Sequence, residues 1–205
     1  MAKRAFDLFW SILGLAVLLP LLALVALAVK AEDGGSIFFR QVRIGRGGVP
    51  FRIWKFRTMV VDAERQGRSI TVGRDPRITR IGHFLRGTKL DEIPQLLNVL
   101  VGEMSFVGPR PEVPRYVELY SEPQRAILGL RPGITDLASI KYRNESELLA
   151  QAADPDATYV DRIMPDKLRI NLAYAAQASV ATDFLVILAT LGLYPAARIR
   201  GGAEA

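Results

Sequence analysis

Two adjacent carboxylates, Asp91 and Glu92, lie close to an arginine held between prolines, Arg110, in the stretch "KLDEIPQLLNVLVGEMSFVGPRPE", residues 89–112. An ionised Asp can attack phosphorus or ligate a metal, and a neighbouring Glu can take the other role. Consecutive helical residues point about a hundred degrees apart, so both carboxylates reach one site only near a helix end. Pro94 is best tolerated in a first turn, which sets the helix start close to Asp91. There the unpaired N–H groups and the positive dipole end favour an ionised carboxylate. The prolines flanking Arg110 restrict its backbone, and its planar fork of donors suits phosphate oxygens. A fixed cation beside a metal-binding acidic pair is the arrangement a diphosphate substrate requires, because phosphoryl transfer depends mainly on positioning and charge neutralisation. Each motif alone also has a plain structural reading: a helix cap for the pair, a rigid connector for the turn.

The composition limits what else can act. A chain of 205 residues, 50% hydrophobic, can bury one substantial core and reads as one domain, a catalytic or binding unit plus attachments. A net charge of +6 implies anionic partners: nucleic acid, a phospholipid surface or a phosphorylated substrate. With no cysteine, thiolate nucleophiles, disulfides and Cys-based metal sites are excluded. The single histidine, His83, lies in an apolar-periodic stretch and reads as structural. Any metal must then be oxygen-ligated, which favours magnesium (Mg2+) or manganese.

Stepping outward from the chemistry, residues 8–29 form an uncharged run broken only by Ser11, Gly14 and Pro20. At roughly 33 Å it is long enough to cross a bilayer core. Pro20 predicts a bend at mid-segment. Cations flank both sides, Lys3 and Arg4 before, Lys30, Arg40, Arg43 and Arg46 after, whereas a span should carry a clear inside bias. A span and a re-entrant helix that returns to the cytoplasmic face both remain open on these residues.

Residues 36–59 read as two β-rich runs joined by "GRGG", with six Lys/Arg, no acid and interleaved Phe and Trp. That mixture suits a lipid headgroup region, and equally single-stranded nucleic acid. Residues 58–66 and 79–85 read as helices. A short amphipathic helix then carries Leu90, Ile93, Leu96, Leu97 and Leu100. Residues 102–111 read as a loop, followed by helices at 112–119, 122–128, 145–152 and 159–178. Residues 131–145 hold a Pro-Gly turn and a short extended run. The apolar stretch 184–194 suits core, membrane interface or contact with a second copy, a homodimer. The expected fold is α+β, a mostly helical single domain at 35–205 with a small β-hairpin, anchored by a kinked apolar membrane helix at 1–34.

Three blocks then carry a resemblance: "KFRTM" at 55–59, the stretch at 89–112, and "LRPGIT" at 130–135, preceded by "KRAFDLFWS" before the apolar run. In this order the chain resembles the bacterial sugar transferase family, the monotopic phosphoglycosyl transferases, in its small form. The resemblance implies transfer of a sugar 1-phosphate from a UDP-sugar to polyprenol (undecaprenyl) phosphate through a covalent phospho-Asp, with release of UMP. It implies work at the cytoplasmic face of a bacterial inner membrane, at the first membrane step of exopolysaccharide, O-antigen or glycoprotein assembly. Carried over residue by residue, Asp91 is the nucleophile, Glu92 ligates Mg2+ or positions the reacting groups, and Arg110 binds phosphate. Lys55, Arg86, Arg131 and Arg143 are further substrate cations. The resemblance also implies the re-entrant form, with Pro20 at the membrane bend. Here Leu19 precedes that proline where a well-known small member has Ser, and "DLASIKYRNE" follows "RPGIT" where many members read "GWAQV".

Two rivals lie outside enzymology. A non-catalytic adaptor binding anionic lipid through its basic hairpin accounts for the charge and the apolar helix, but leaves Asp91, Glu92 and Arg110 together without a purpose. A membrane-tethered nucleic-acid binder fits the acidic pair poorly, so no nucleic acid is expected as partner.

Overall fold

A computed structural model describes residues 1–63, 72–73 and 75–199 of the chain. The first element, α1 (Ala2–Asp33), is one long helix with Pro20 in its interior. It stops at Gly34, which adopts the left-handed conformation at φ 74° and donates its N–H to the Lys30 carbonyl at 3.0 Å. The helix is long and apolar enough to cross a membrane, and only 11% of its apolar window is buried. A core helix of a soluble protein of this length is largely covered, so the exposed face, with Phe9, Val17, Leu19, Leu24 and Leu27, calls for an apolar medium.

What α1 does bury lies at its two ends. Near the N-terminus Lys3 pairs with Asp183 and donates to the Val107 carbonyl at 2.9 Å. Arg4 donates to the carbonyls of Val99 at 2.5 Å and Leu100 at 2.8 Å. Asp7, 1% exposed, accepts from Ser105 Oγ at 3.0 Å and the Phe106 N–H at 3.1 Å. Near the C-terminus Val25 and Val29 pack on Phe56 and Leu85, while Asp33 holds Arg57 with one contact at 2.6 Å. Between these two docked ends, Val17, Leu19, Pro20 and Leu21 are exposed. Both ends of the helix therefore contact residues that follow it in the chain.

After α1 come β1 (Phe38–Phe39), β2 (Val42–Ile44), β3 (Pro50–Arg52) and β4 (Lys55–Phe56). β2 pairs antiparallel with β3 and β1 with β4, a nested hairpin whose tip is a 3-10 turn at Arg46–Gly48. This is the small hairpin that the alternation around "GRGG" predicts. The helix expected at 58–66 is not formed over its described part: Met59 bridges Ile78, and the Thr58 carbonyl accepts from the Thr79 N–H at 3.0 Å. Extended pairing with the next segment satisfies that backbone instead, and residues 64–66 lie outside the described residues. α2 (Arg80–Thr88) follows, its Thr79 cap accepting from the Gly82 N–H.

The loop expected at 102–111 contains a strand. After α3 (Leu96–Val101), β5 (Ser105–Val107) pairs in parallel with β6 (Gly133–Thr135), a partner more than twenty residues away that no local pattern announces. The remaining helices are α4 (Pro114–Val117), α5 (Leu137–Lys141), α6 (Glu145–Ala150), α7 (Pro155–Thr158), α8 (Met164–Ala175) and α9 (Val180–Thr190), with 3-10 turns at Gln124–Gly129 and a π-turn at Tyr159–Ile163. Their apolar faces converge on Tyr116, Ile127, Tyr159 and Leu168 in one cluster and on Leu137, Ile170 and Val186 in a second. The whole is a mostly helical α+β arrangement with three two-stranded sheets among the described residues.

Candidate active site

The acidic pair sits on a 3-10 turn, Leu90–Gln95, that leads into α3. Lys89 is left-handed at φ 60°, which separates this turn from α2, and Pro94 is accommodated because the tighter turn precedes the regular helix. The irregular backbone sends the two carboxylates to different partners. Glu92 is claimed by two cations. Lys55 Nζ reaches its Oε1 at 2.9 Å, and Arg110 pairs with the same oxygen while its Nη1 donates to Oε2 at 3.1 Å. Burial opposes the charge on Glu92, but Arg110 and Lys55 together hold its carboxyl well below the usual range. Arg110 is in turn held more firmly protonated by Glu92, against its own desolvation.

Asp91 has the opposite fate. It is 7% exposed, and its Oδ1 has no hydrogen-bond partner among the described residues. Burial pushes its carboxyl above the ordinary value, with Lys55, Arg86 and Lys89 pulling the other way. The helix-start environment expected to favour its ionised form is thus outweighed by desolvation. Lys55, delivered by β4, is itself buried enough that its ammonium is weakened. The result is a buried carboxylate oxygen without a partner among the described residues, beside a charge-compensated acid–cation cluster.

Arg110 is presented by Pro109 and Pro111, and the parallel β5–β6 pair brings that turn to the end of "RPGIT". The fit is close: a Cβ at Gly133 meets the Gly108 nitrogen at 2.1 Å, and one at Gly108 meets the Arg131 carbonyl at 2.3 Å. Only glycine allows the two backbones this approach.

Of the other expected cations, Arg86 stands in the field of Asp91 and donates to Thr58 Oγ1 at 2.8 Å. Arg131 lies two residues before the start of β6, with its carbonyl against Gly108. Arg143 is exposed and donates to the Thr190 carbonyl at 3.1 Å, at the end of α9 rather than on the acidic pair. Two residues beside the site were not anticipated. Arg43 donates to the Pro111 carbonyl at 3.1 Å and to Gln41 at 2.7 Å. Its register partner Phe51 is buried, and cross-strand partners share a face, so hairpin pairing carried that signal. Asp136, 1% exposed, caps α5 and reaches Arg110. Its signal was the Asp-x-x-Ser cap pattern in "DLAS".

A long apolar helix, docked at both ends beside a buried acid–cation cluster, defines a class of mixed helical proteins with small sheets and an exposed apolar N-terminal helix. The chain belongs to the bacterial sugar transferase family, whose model matches residues 1–195. It is 36% identical over 193 residues to the UDP-glucose:undecaprenyl-phosphate glucose-1-phosphate transferase of Escherichia coli (strain K12), covering 92% of this chain and 39% of that protein. It is 37% identical to the exopolysaccharide production protein ExoY of Sinorhizobium fredii, over 93% of this chain and 84% of the relative. To the exopolysaccharide production protein PSS of Rhizobium leguminosarum bv. phaseoli it is 40% identical, over 92% of each. The chain thus spans well under half the length of the E. coli relative and most of the two rhizobial ones.

Proposed function

We propose that this chain transfers a sugar 1-phosphate from a UDP-sugar to polyprenyl (undecaprenyl) phosphate, initiating a bacterial exopolysaccharide or related glycan. The observation that carries the reading is the contrast inside the acidic pair: Glu92 is neutralised by Lys55 and Arg110, while Asp91 keeps a buried oxygen with no partner. An unpartnered carboxylate oxygen is available as a nucleophile. In the first step an Asp91 oxygen attacks the β-phosphorus of the UDP-sugar. The bond from that phosphorus to the bridging oxygen breaks, and UMP leaves with the electron pair. In the second step a phosphate oxygen of the polyprenyl phosphate attacks the same phosphorus, the Asp91–phosphorus bond breaks, and a polyprenyl diphosphosugar departs with Asp91 regenerated. Arg110 binds phosphate oxygens of the sugar-nucleotide donor, and Lys55 holds Glu92 and adds positive potential.

The donor set also suits Mg2+. Among the described residues Glu92 Oε2 accepts from Arg110 and Asp91 Oδ1 accepts from none, so both have lone pairs to offer. Asp91 and Glu92 would hold the ion, as one or two carboxylates hold Mg2+ at phosphate sites. Bound there, Mg2+ would neutralise charge on the diphosphate.

For the anchor, the docking of both ends of α1 to one domain supports a re-entrant helix that returns to the cytoplasmic face near Pro20, since a simple span would carry one end to the far side. The test of function is magnesium-dependent UMP release from a panel of UDP-sugars with polyprenyl phosphate, together with trapping of a phosphosugar adduct on the protein. A ternary complex that turns over with no adduct would replace the covalent route by direct transfer.

A further inference from the structure

The tripeptide Pro109–Arg110–Pro111 has one backbone N–H, because proline has none. The structure commits that donor to a carboxylate: the Arg110 N–H reaches Asp136 Oδ2 at 3.1 Å. The neighbouring carbonyls are held as well, Pro109 by the Gly133 N–H at 3.0 Å and Pro111 by Arg43 at 3.1 Å. Of these three clasps, only the one from Asp136 acts on Arg110 itself.

Asp136 has a second task that does not explain its chemistry. Its Oδ1 accepts from the Ser139 N–H at 2.7 Å, the N-cap bond of α5, and its Oδ2 also accepts from Ser139 Oγ at 2.9 Å. Serine, threonine or asparagine caps a helix about as well. A carboxylate is required only where two oxygens must both accept, one toward the helix and one toward Arg110. It also places a buried negative charge next to a guanidinium already neutralising Glu92.

We propose that Asp136 is a positioning residue that fixes Arg110 for the phosphates of the sugar-nucleotide donor, by coupling the start of α5 to the arginine's backbone. The inference rests on the reading of Arg110 as a donor-phosphate cation. Asp136→Asn keeps one acceptor oxygen for the cap but turns an amide NH2 toward the Arg110 N–H, and Asp136→Ser keeps a cap with nothing reaching the arginine.

The experiment measures UMP release by the full chain in detergent with Mg2+, varying in turn polyprenyl phosphate and the UDP-sugar that a screen finds most active. Both variants should raise the KM for the UDP-sugar about tenfold, as a misplaced binding group does. The KM for polyprenyl phosphate and the melting temperature, the latter to within about 2 °C, should stay at wild-type values. Arg110→Gln is the control. If it raises the donor KM while both Asp136 variants leave it unchanged, Asp136 has no positioning role and the reading of Arg110 stands. If both variants shift the two KM values together and lower the melting temperature, Asp136 is only a cap. If Arg110→Gln itself leaves the donor KM unchanged, the assignment of Arg110 falls and takes this inference with it.

Discussion

Asp91 and Glu92 are neighbours in the chain with opposite electrostatic surroundings: Glu92 gives oxygens to Lys55 and Arg110, whereas Asp91 retains a buried oxygen that no described residue claims. The proposed division of labour between nucleophile and charge-neutralised partner rests on this difference, and it defines what substitution should do.

Asp91→Asn removes the nucleophile and should lower UMP release by about 10⁴-fold or more. It should also stabilise the fold. Burial raises the carboxyl's affinity for protons, so ionised Asp91 is a liability at neutral pH that the amide lacks. A gain of about 2–4 °C in melting temperature is expected at pH 7. It should fade as pH falls through the raised folded value and vanish below about 3.9, the ordinary value for Asp.

Glu92→Gln leaves two cations without their carboxylate. Arg110, with 36% of its side chain exposed, can recover hydration, but Lys55 at 16% has less access to water. The expected loss is about 2–4 kcal/mol at pH 7, read by denaturant unfolding in detergent. Because Glu92 titrates well below its ordinary value in the fold, its contribution is full above about pH 4.3. The deficit of the variant should therefore narrow only below that pH.

The pH dependence of UMP release should carry the mark of Asp91. In the proposed mechanism its ionised form is the nucleophile, and burial raises its carboxyl, so activity should fall, on acidification, at a higher pH than about 3.9. A single-turnover rate that stays level down to pH 4 would assign the acid limb to some other group.

Gly133→Ala places a methyl group on the backbone of Gly108, with a nominal separation of 2.1 Å. Backbone cannot yield as a flexible side chain can, so β5 and β6 must separate and carry the Arg110 turn with them. A destabilisation of about 2 kcal/mol or more is expected, with a raised donor KM. Unchanged unfolding and kinetics would mean that the strands tolerate a wider spacing.

The anchor has its own measurement. A cysteine introduced at Ala2 should be protected from an impermeant thiol reagent applied from the periplasm, because Lys3 and Arg4 dock on the catalytic domain. Labelling from that side while the domain is protected would establish a span.

The sequence alone determined the parts whose cause is local. Hydrophobic length marked α1, alternation around "GRGG" marked the β2–β3 hairpin, and Pro94 placed the acidic pair in an irregular first turn. It also nominated Asp91, Glu92 and Arg110, because a carboxylate pair near a proline-bound arginine is unusual chemistry at short range, whereas Lys55 came only through the family resemblance. Tertiary structure decided what depends on distant partners. The parallel β5–β6 pair joins residues separated by a long crossover, so local propensity could not distinguish its first strand from a loop. The same pairing makes Asp136 a neighbour of Arg110 and makes two glycines indispensable. Charge followed the same rule. The helix start predicts an ionised Asp91, but desolvation depends on everything packed around the carboxyl, and only the assembled fold could decide that its proton is held more tightly than in water.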